Sequence, residues 1–350
     1  MDVKKLFITE ETTILQAMQR IDELAKRIVY ITEGNYLLAS LSDGDIRRWI
    51  LSKGSLDAPV CKAANYHPLV VRNANEEYAR KFMRAKEILS VPVVNDRNEV
   101  VNVYFEDSAA RVENHQLDGV PVVIMAGGKG TRLYPYTKIL PKPLIPVGDE
   151  PIIEHIMKSF HHFGCNDFHL IVNHKKNMIK AYFNESNTPY NVMYADEDQP
   201  LGTGGGLSLL KGKIDDTFIL SNCDILIRDD IAAMYEYHKK HGNLITMVCS
   251  VNDFTIPYGI VDIDEHGEII QMREKPSLSF LTNTGCYIVE PEVIAEMECN
   301  QVIGFPDIIE RYKRLGKRVG VYPISENSWL DMGQLDELRK MEIALTEEKE

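Results

Sequence analysis

A chain of 350 residues is too long for one ordinary domain and suits two. It carries 39 Lys and Arg against 52 Asp and Glu, and the net charge of −13 argues against general binding to nucleic acid or anionic membranes. Hydrophobic content of 44% is enough to fill cores, yet no run approaches membrane-spanning length and the opening MDVKKLFITEETT has no apolar leader segment.

Residues 1–110 repeat themselves at an offset of 63 positions. Thr12, Ile14, Leu15 and Met18 predict the start of an amphipathic helix, and Asn75, Tyr78, Phe82 and Met83 predict its counterpart. Strand-like residues 27–31 fall on 90–94, Asn35 on Asn98, and Leu37-Leu38 on Val100-Val101. The repeats, about 1–58 and 64–110, each read helix, strand, turn, strand, helix. Neither buries both faces of its small sheet alone, so the two should pack as a pair. The pattern resembles a tandem CBS module (a Bateman domain), an α+β fold for which the resemblance implies an adenine nucleotide ligand. In that pattern a Ser or Thr and an Asp three residues later contact ribose. Ser42 and Asp45 hold those positions in the first repeat, whereas Phe105 and Ser108 stand in the second. Ser42 and Asp45 equally suit a helix N-cap.

Residues 111–119 are polar and small and read as a linker. From 120 to 350 strands and helices alternate. Strands are expected at 122–126, 169–173, 191–195, 217–221, 244–251 and 268–272, with helices at 152–162, 176–183 and 230–241. This order predicts a doubly wound α/β layer with a mostly parallel mixed sheet, its ligands at the carboxyl ends of the strands. The tail, 336–350, reads as a charged helix, and no hexapeptide repeat follows it.

The most informative stretch is VVIMAGGKGTRLYPYTKILPKPLIPVGDEP, residues 122–151. An apolar strand runs into a glycine-rich turn whose bare backbone can approach a phosphate chain. Arg132 closes the turn, and Lys142 follows between Pro141 and Pro143. Neither the P-loop spacing nor the dinucleotide fingerprint fits. The segment resembles the signature GGxGTRLxPxTxxxPKPLxPV of the sugar-1-phosphate nucleotidylyltransferases. The resemblance continues through Leu201-Gly202-Thr203-Gly204-Gly205, Asn222-Cys223-Asp224, Glu274-Lys275-Pro276, Asn283-Thr284-Gly285 and Trp329-Leu330-Asp331-Met332-Gly333, in the family's order.

That resemblance implies the nucleotide-diphospho-sugar transferase fold and transfer of a nucleotidyl group from an NTP to a sugar-1-phosphate. Arg132 and Lys142 are the implied catalytic cations. Ala126, Gly127, Gly128, Gly130, Thr131, Gln199, Gly202 and Thr203 would bind the nucleotide. Gly259, Glu274, Lys275, Asn283 and Thr284 would bind the sugar phosphate, and Asp224 and Asp331 would hold Mg2+. Cys223 stands where the family has glycine. The Leu-Gly-Thr-small-Gly form resembles guanylyltransferases, so GTP is the expected nucleotide. CBS modules fused ahead of such a domain resemble the bacterial guanylyltransferases that make GDP-glucosamine for legionaminic acid synthesis. Glucosamine-1-phosphate is therefore the expected sugar, with mannose-1-phosphate or another hexose-1-phosphate as rival. A nucleotide-sensing pseudoenzyme is the non-catalytic alternative, and apolar CBS helices suit a homo-oligomer. The six cysteines include no CxxC pair and read as reduced thiols, which with the missing leader suggests a cytoplasmic protein.

Overall fold

The computed structural model describes residues 2–24, 26–72, 74–86, 88–106, 117–333, 337–339 and 341–343. The chain divides into two compact units, Met1–Glu113 and Asn114–Glu350.

The N-terminal unit holds two three-stranded sheets of the same plan. Strands Phe7–Ile8, Ile28–Glu33 and Tyr36–Ser42 form one; Val71–Arg72, Ser90–Val94 and Val100–Phe105 form the other. In each, the short first strand runs parallel to the second and the second pairs antiparallel with the third. Helix Ile14–Leu24 buries Ile14, Ala17 and Ile21, and helix Glu76–Lys86 buries Ala79 and Met83; of the positions the spacing named, Ile14 and Met83 are buried, Leu15, Met18 and Phe82 are half-buried, and Tyr78 faces solvent. The hairpin tips interlock. Leu37 N–H donates to the Asn98 carbonyl at 3.0 Å and Val100 N–H donates to the Asn35 carbonyl at 2.8 Å. Leu37 and Val100 are repeat equivalents, as are Asn35 and Asn98, so the two bonds exchange under the repeat.

In the second unit a seven-stranded sheet runs in the order Asn191–Asp196, Asp167–Val172, Val122–Met125, Phe218–Asn222, Ser277–Val289, Ile245–Thr255, Val319–Ser325. All neighbours are parallel except around Ser277–Val289, which is antiparallel to both flanking strands. Strand Val122–Met125 is buried on both faces. Val122 and Ile124 join the core cluster with Ile153, Met157 and Phe168, while Val123 and Met125 join the one with Leu207, Leu220 and Tyr287. The chain leaves this strand to one side, for Asp167–Val172, and later returns to its other side at Phe218–Asn222. Strand order reverses there, and a crevice opens at the carboxyl ends.

Element ends differ from expectation by one to four residues. Helix Ile231–His241 starts one residue late because Asp230 is its N-cap, its carboxylate accepting from Ala233 N–H at 2.9 Å. Strand Ile245–Thr255 runs past 251 because it pairs with Ser277–Val289 as a two-stranded ribbon out to Thr255 and Ser277. The expected linker at 111–116 and Ser108 lie outside the described residues. Leu117, expected in the linker, is packed into the core. Of the expected tail helix, residues 337–339 and 341–343 are helical and the rest lies outside the described residues. No helix among the described residues is long and apolar enough to cross a membrane.

Candidate active site

At the carboxyl end of Val122–Met125 the chain turns through Ala126 to Arg132 and lines a cleft of about 480 Å³. Ala126 is buried and its N–H donates to the Ile171 carbonyl at 2.8 Å, anchoring the root of the turn to the neighbouring strand. Two glycines are required sterically. A Cβ on Gly127 would stand 2.7 Å from Glu197 Oε2. Gly130 has φ +62°, and a Cβ there would come within 2.9 Å of the Thr137 methyl and 3.0 Å of Lys142 Cβ. Gly128 faces open space. Thr137 fixes the turn from below, its hydroxyl donating to the Gly130 carbonyl at 2.8 Å. Thr131 opens the short 3-10 turn Thr131–Leu133, and Arg132 is exposed on the cleft wall.

Across the cleft, Asp224 follows strand Phe218–Asn222 and forms an ion pair with Lys142, each side chain only 12% exposed. Asp331 arrives from far along the chain. Strand Ile225–Ile227 pairs antiparallel with Trp329–Asp331, setting Ile225 opposite Asp331. Gly333 N–H donates to Asp331 Oδ1 at 2.7 Å. Burial pushes the Asp331 carboxyl above its usual range, with the Asp224 charge adding to it and Lys142 and Arg132 opposing. Two carboxylates are thus held together against their own repulsion. No cluster of three or more His, Cys, Asp or Glu side chains able to cage a metal occurs among the described residues. Two carboxylates without a full protein cage is a donor set that suits Mg2+, which completes its octahedron with water and phosphate oxygens.

Cys223 lies in the core cluster with Ile225 and Ile288, and burial pushes its thiol up to about 12. The side chain in place of the family glycine thus packs inward.

Sequence reasoning missed Glu197. It is 5% exposed, lines the cleft, and its Oε1 has no hydrogen-bond partner. Burial pushes its carboxyl up, with a backbone bond from Leu201 opposing. Its main chain is pinned on both sides: its N–H donates to the Val172 carbonyl at 2.9 Å, and its carbonyl accepts from Asn173 Nδ2 at 3.0 Å. Gly206 leaves room for it, since a Cβ there would stand 2.7 Å from Oε1. The available signal was its position five residues before Gly202, at the end of strand Asn191–Asp196. Lys129, also unnamed, adds a third cation to the wall.

Gly202 and Thr203 line the cleft, whereas Gln199 is exposed and does not. The Thr203 hydroxyl accepts from Phe305 N–H at 3.1 Å. The residues expected to hold the sugar phosphate lie outside the cleft lining, Gly259, Glu274 and Lys275 beside the hairpin Ile260–Arg273 and Asn283 and Thr284 within the main sheet. Gly259 and Glu274 face each other, with a Cβ on Gly259 2.8 Å from Glu274 Oε2. Lys275 has φ +43° and is exposed. Asn283 donates to the Tyr287 hydroxyl at 2.8 Å. Thr284 is 2% exposed, its hydroxyl donating to the Val248 carbonyl at 2.8 Å, which makes it part of the strand rather than a free ligand group.

Fold and cleft together define an α/β protein whose sheet crevice gathers a glycine-rich turn, cations and carboxylates. The chain belongs to the nucleotidyl transferase family, whose pattern matches residues 121–348. It is 33% identical over 225 residues to a mannose-1-phosphate guanyltransferase of Aspergillus oryzae, covering 61% of this chain and 60% of the relative. It is 29% identical over 238 residues to a UTP–glucose-1-phosphate uridylyltransferase of Synechocystis sp., covering 61% and 60%. The chain thus spans about 60% of the length of these relatives. Among solved structures, HddC from Yersinia pseudotuberculosis superposes with a TM-score of 0.52 at 22% identity, over 65% of this chain and 99% of that one. A second HddC structure, complexed with GMP-PN, gives 0.50 at 22% identity and the same coverage.

Proposed function

We propose that the protein is a magnesium-dependent guanylyltransferase acting on a hexose-1-phosphate. An oxygen of the sugar phosphate bonds to the α-phosphorus of GTP, the bond from that phosphorus to the bridging oxygen breaks, and pyrophosphate leaves. Both reactants are anions, so positioning and charge neutralisation are the enzyme's main work. The turn from Gly127 to Arg132 offers backbone N–H groups and the Arg132 fork to the triphosphate. Lys142 stands beside the reacting centre, where its ion pair with Asp224 keeps it oriented. Asp224 and Asp331 would hold Mg2+, which supplies charge neutralisation between the two phosphates.

The base assignment rests on one observation, the buried Glu197 with an unpartnered oxygen in the cleft. Guanine presents two adjacent donors, N1–H and the 2-amino group, to which a carboxylate can bind with both oxygens. Uracil and thymine offer one N–H between two carbonyls, and adenine sets an acceptor beside its amine. Relatives named as mannose-1-phosphate guanyltransferases support the same base. They favour mannose-1-phosphate as sugar, while the domain order favours glucosamine-1-phosphate.

The test is pyrophosphate release with Mg2+, crossing five NTPs against glucosamine-, mannose-, glucose- and N-acetylglucosamine-1-phosphate. GTP dependence supports the reading, and the preferred sugar separates the two candidates. Preference for UTP or dTTP removes the role given to Glu197. Silence from folded protein favours the nucleotide-sensing pseudoenzyme.

The N-terminal unit is proposed as a tandem CBS module that takes an adenine nucleotide. It holds a cavity of about 320 Å³ lined by Lys26, Ser42, Asp45, Arg48, Asn65 and Ser90 among others. Ser42 and Asp45 also form a capping box, with Asp45 N–H donating to Ser42 Oγ at 3.2 Å and Ser42 N–H donating to Asp45 Oδ2 at 2.9 Å. Cap and cavity lining coincide, so substituting them disturbs both; calorimetric titration of AMP and ATP into the intact chain is the cleaner test. Self-association through this module is read by sedimentation with and without nucleotide.

A further inference from the structure

Outside the cleft lining, Lys175 has its ammonium committed to three consecutive carbonyls. It sits beyond strand Asp167–Val172 as the N-cap of helix Lys176–Glu185, with a left-handed backbone at φ 54° and ψ 30°. Its Nζ donates to the carbonyls of Thr137, Lys138 and Ile139 at 3.0, 2.7 and 2.8 Å. Those are the last three residues of the four-residue helix Tyr136–Ile139. A helix of one turn leaves its carbonyls without partners along the chain and does not hold itself together in water. One ammonium has three donors, and here all three cover that terminus and meet its partial negative charge.

The consequence reaches the cleft in two further contacts. Thr137, in that helix, donates its hydroxyl to the Gly130 carbonyl, and its methyl stands where a Cβ on Gly130 would clash. Lys142 follows the helix by three residues and pairs with Asp224. On its other side, the segment carrying Lys175 meets the start of the turn: His174 N–H donates to the Gly127 carbonyl at 3.4 Å, and a Cβ on Gly127 would stand 3.2 Å from Asn173 Cβ. Residues 173–175 therefore bracket the glycine turn at both ends. The left-handed backbone at Lys175 is unusual for a side chain with a Cβ, and such conformations gather at functional positions.

We infer that Lys175 is the positioning residue of the triphosphate loop: it fixes helix Tyr136–Ile139, and through Thr137 and Lys142 it sets the turn and the catalytic lysine against the nucleotide. This rests on the nucleotide reading of the cleft. Lys175 does not line the cleft, so its effect passes through the loop.

The test compares the intact wild-type chain with Lys175→Met, which keeps the length and loses the donors, and Lys175→Arg, which keeps donors aimed at the same carbonyls. Hydrogen exchange of a peptide covering 127–142 gives a readout independent of turnover. In Lys175→Met that peptide exchanges faster, while a peptide covering 218–222 is unchanged. Steady-state kinetics then show kcat/KM for GTP lowered roughly 10- to 100-fold, the scale of a small misplacement, with KM for the sugar phosphate nearly unchanged. Lys175→Arg restores most of both. Unchanged exchange at 127–142 in Lys175→Met overturns the inference even if activity falls. An equal rise in both KM values, with general loosening, assigns Lys175 to fold stability and overturns it too. An inactive wild type with normal exchange contrasts would sink the transferase reading and leave the loop-positioning role standing.

Discussion

The backbone N–H of Met332 donates to the Asp224 carbonyl at 2.8 Å, and this bond joins two segments more than 100 residues apart. With Ile225 set opposite Asp331, it brings the two carboxylates close enough for the Asp224 charge to act on Asp331, while Asp331 stays in the strand pairing. Their convergence is a property of the ladder, so either carboxylate can be changed without losing the strand pairing that presents it.

Asp224→Asn and Asp331→Asn therefore keep the fold and remove a charge from the cleft. Each should lower kcat by about 10²- to 10³-fold, or ~2.7–4 kcal/mol, as for a lost charge-stabilising group. In metal-free protein Asp331→Asn should also raise the melting temperature, because it relieves a buried repulsion. Near-normal turnover of both variants removes the metal assignment.

Glu197→Gln turns one acceptor oxygen into a donor with little change in shape. Discrimination for GTP over UTP and ATP should fall by about 1.5–3 kcal/mol, the range for hydrogen bonds to charged groups. Competition kinetics with paired NTPs measure it. An unchanged GTP preference would move base reading elsewhere in the cleft.

Gly130→Ala meets a left-handed backbone and the Thr137 methyl together. It should cost at least ~1–2 kcal/mol of stability from the conformation alone, read from urea unfolding. Thr137→Ser removes that methyl and should recover part of the loss.

The buried pair of His238 and Glu290 sets a pH dependence. His238 is held between Glu290, 3.1 Å from its Nε2, and the Thr246 hydroxyl, 2.8 Å from its Nδ1. Burial holds its pKa below the ordinary 6.5, outweighing the opposite pull of Glu290. For Glu290 burial acts upward, but bonds from Thr217, Lys239 and His238 outweigh it and hold the carboxyl below its ordinary range. Below pH 6.5 the unfolded chain binds a proton that folded His238 refuses, and further down the unfolded Glu290 does the same, so both reduce stability as pH falls. Melting temperature should decline from pH 7 to 5, and less steeply in His238→Gln.

Alkylation of native protein should stop at Cys61 and Cys299, which are half-buried and exposed. Burial pushes the thiols of Cys165, Cys223, Cys249 and Cys286 up to about 12, which leaves almost no thiolate to react. Intact-mass spectrometry before and after unfolding reads the difference. Rapid labelling of Cys223 would mean that the cleft floor opens.

Strand Val122–Met125 and helix Ile152–His161 were legible because apolar periodicity and tertiary burial agree there. The glycine turn was legible because its steric demands leave few alternatives. Glu197 was not, since one acidic residue among Asp196, Asp198 and Gln199 reads as a solvated turn; it packs against Gly206 and against Gly127, which is distant in sequence. Lys175 escaped for a related reason. A lysine opening a helix looks like surface charge, and its three carbonyl partners lie 36 to 38 residues upstream.

The exchanged backbone bonds between the two hairpin tips of the N-terminal unit carry a consequence for chain assembly. Asn35 and Asn98 each complete the other repeat's edge, so a single repeat leaves its tip with an acceptor and a donor unsatisfied. The same complement is available on any second copy of the chain. Swapping of half-modules between two molecules would satisfy every one of these bonds, and it would tie the two chains together without creating a new contact.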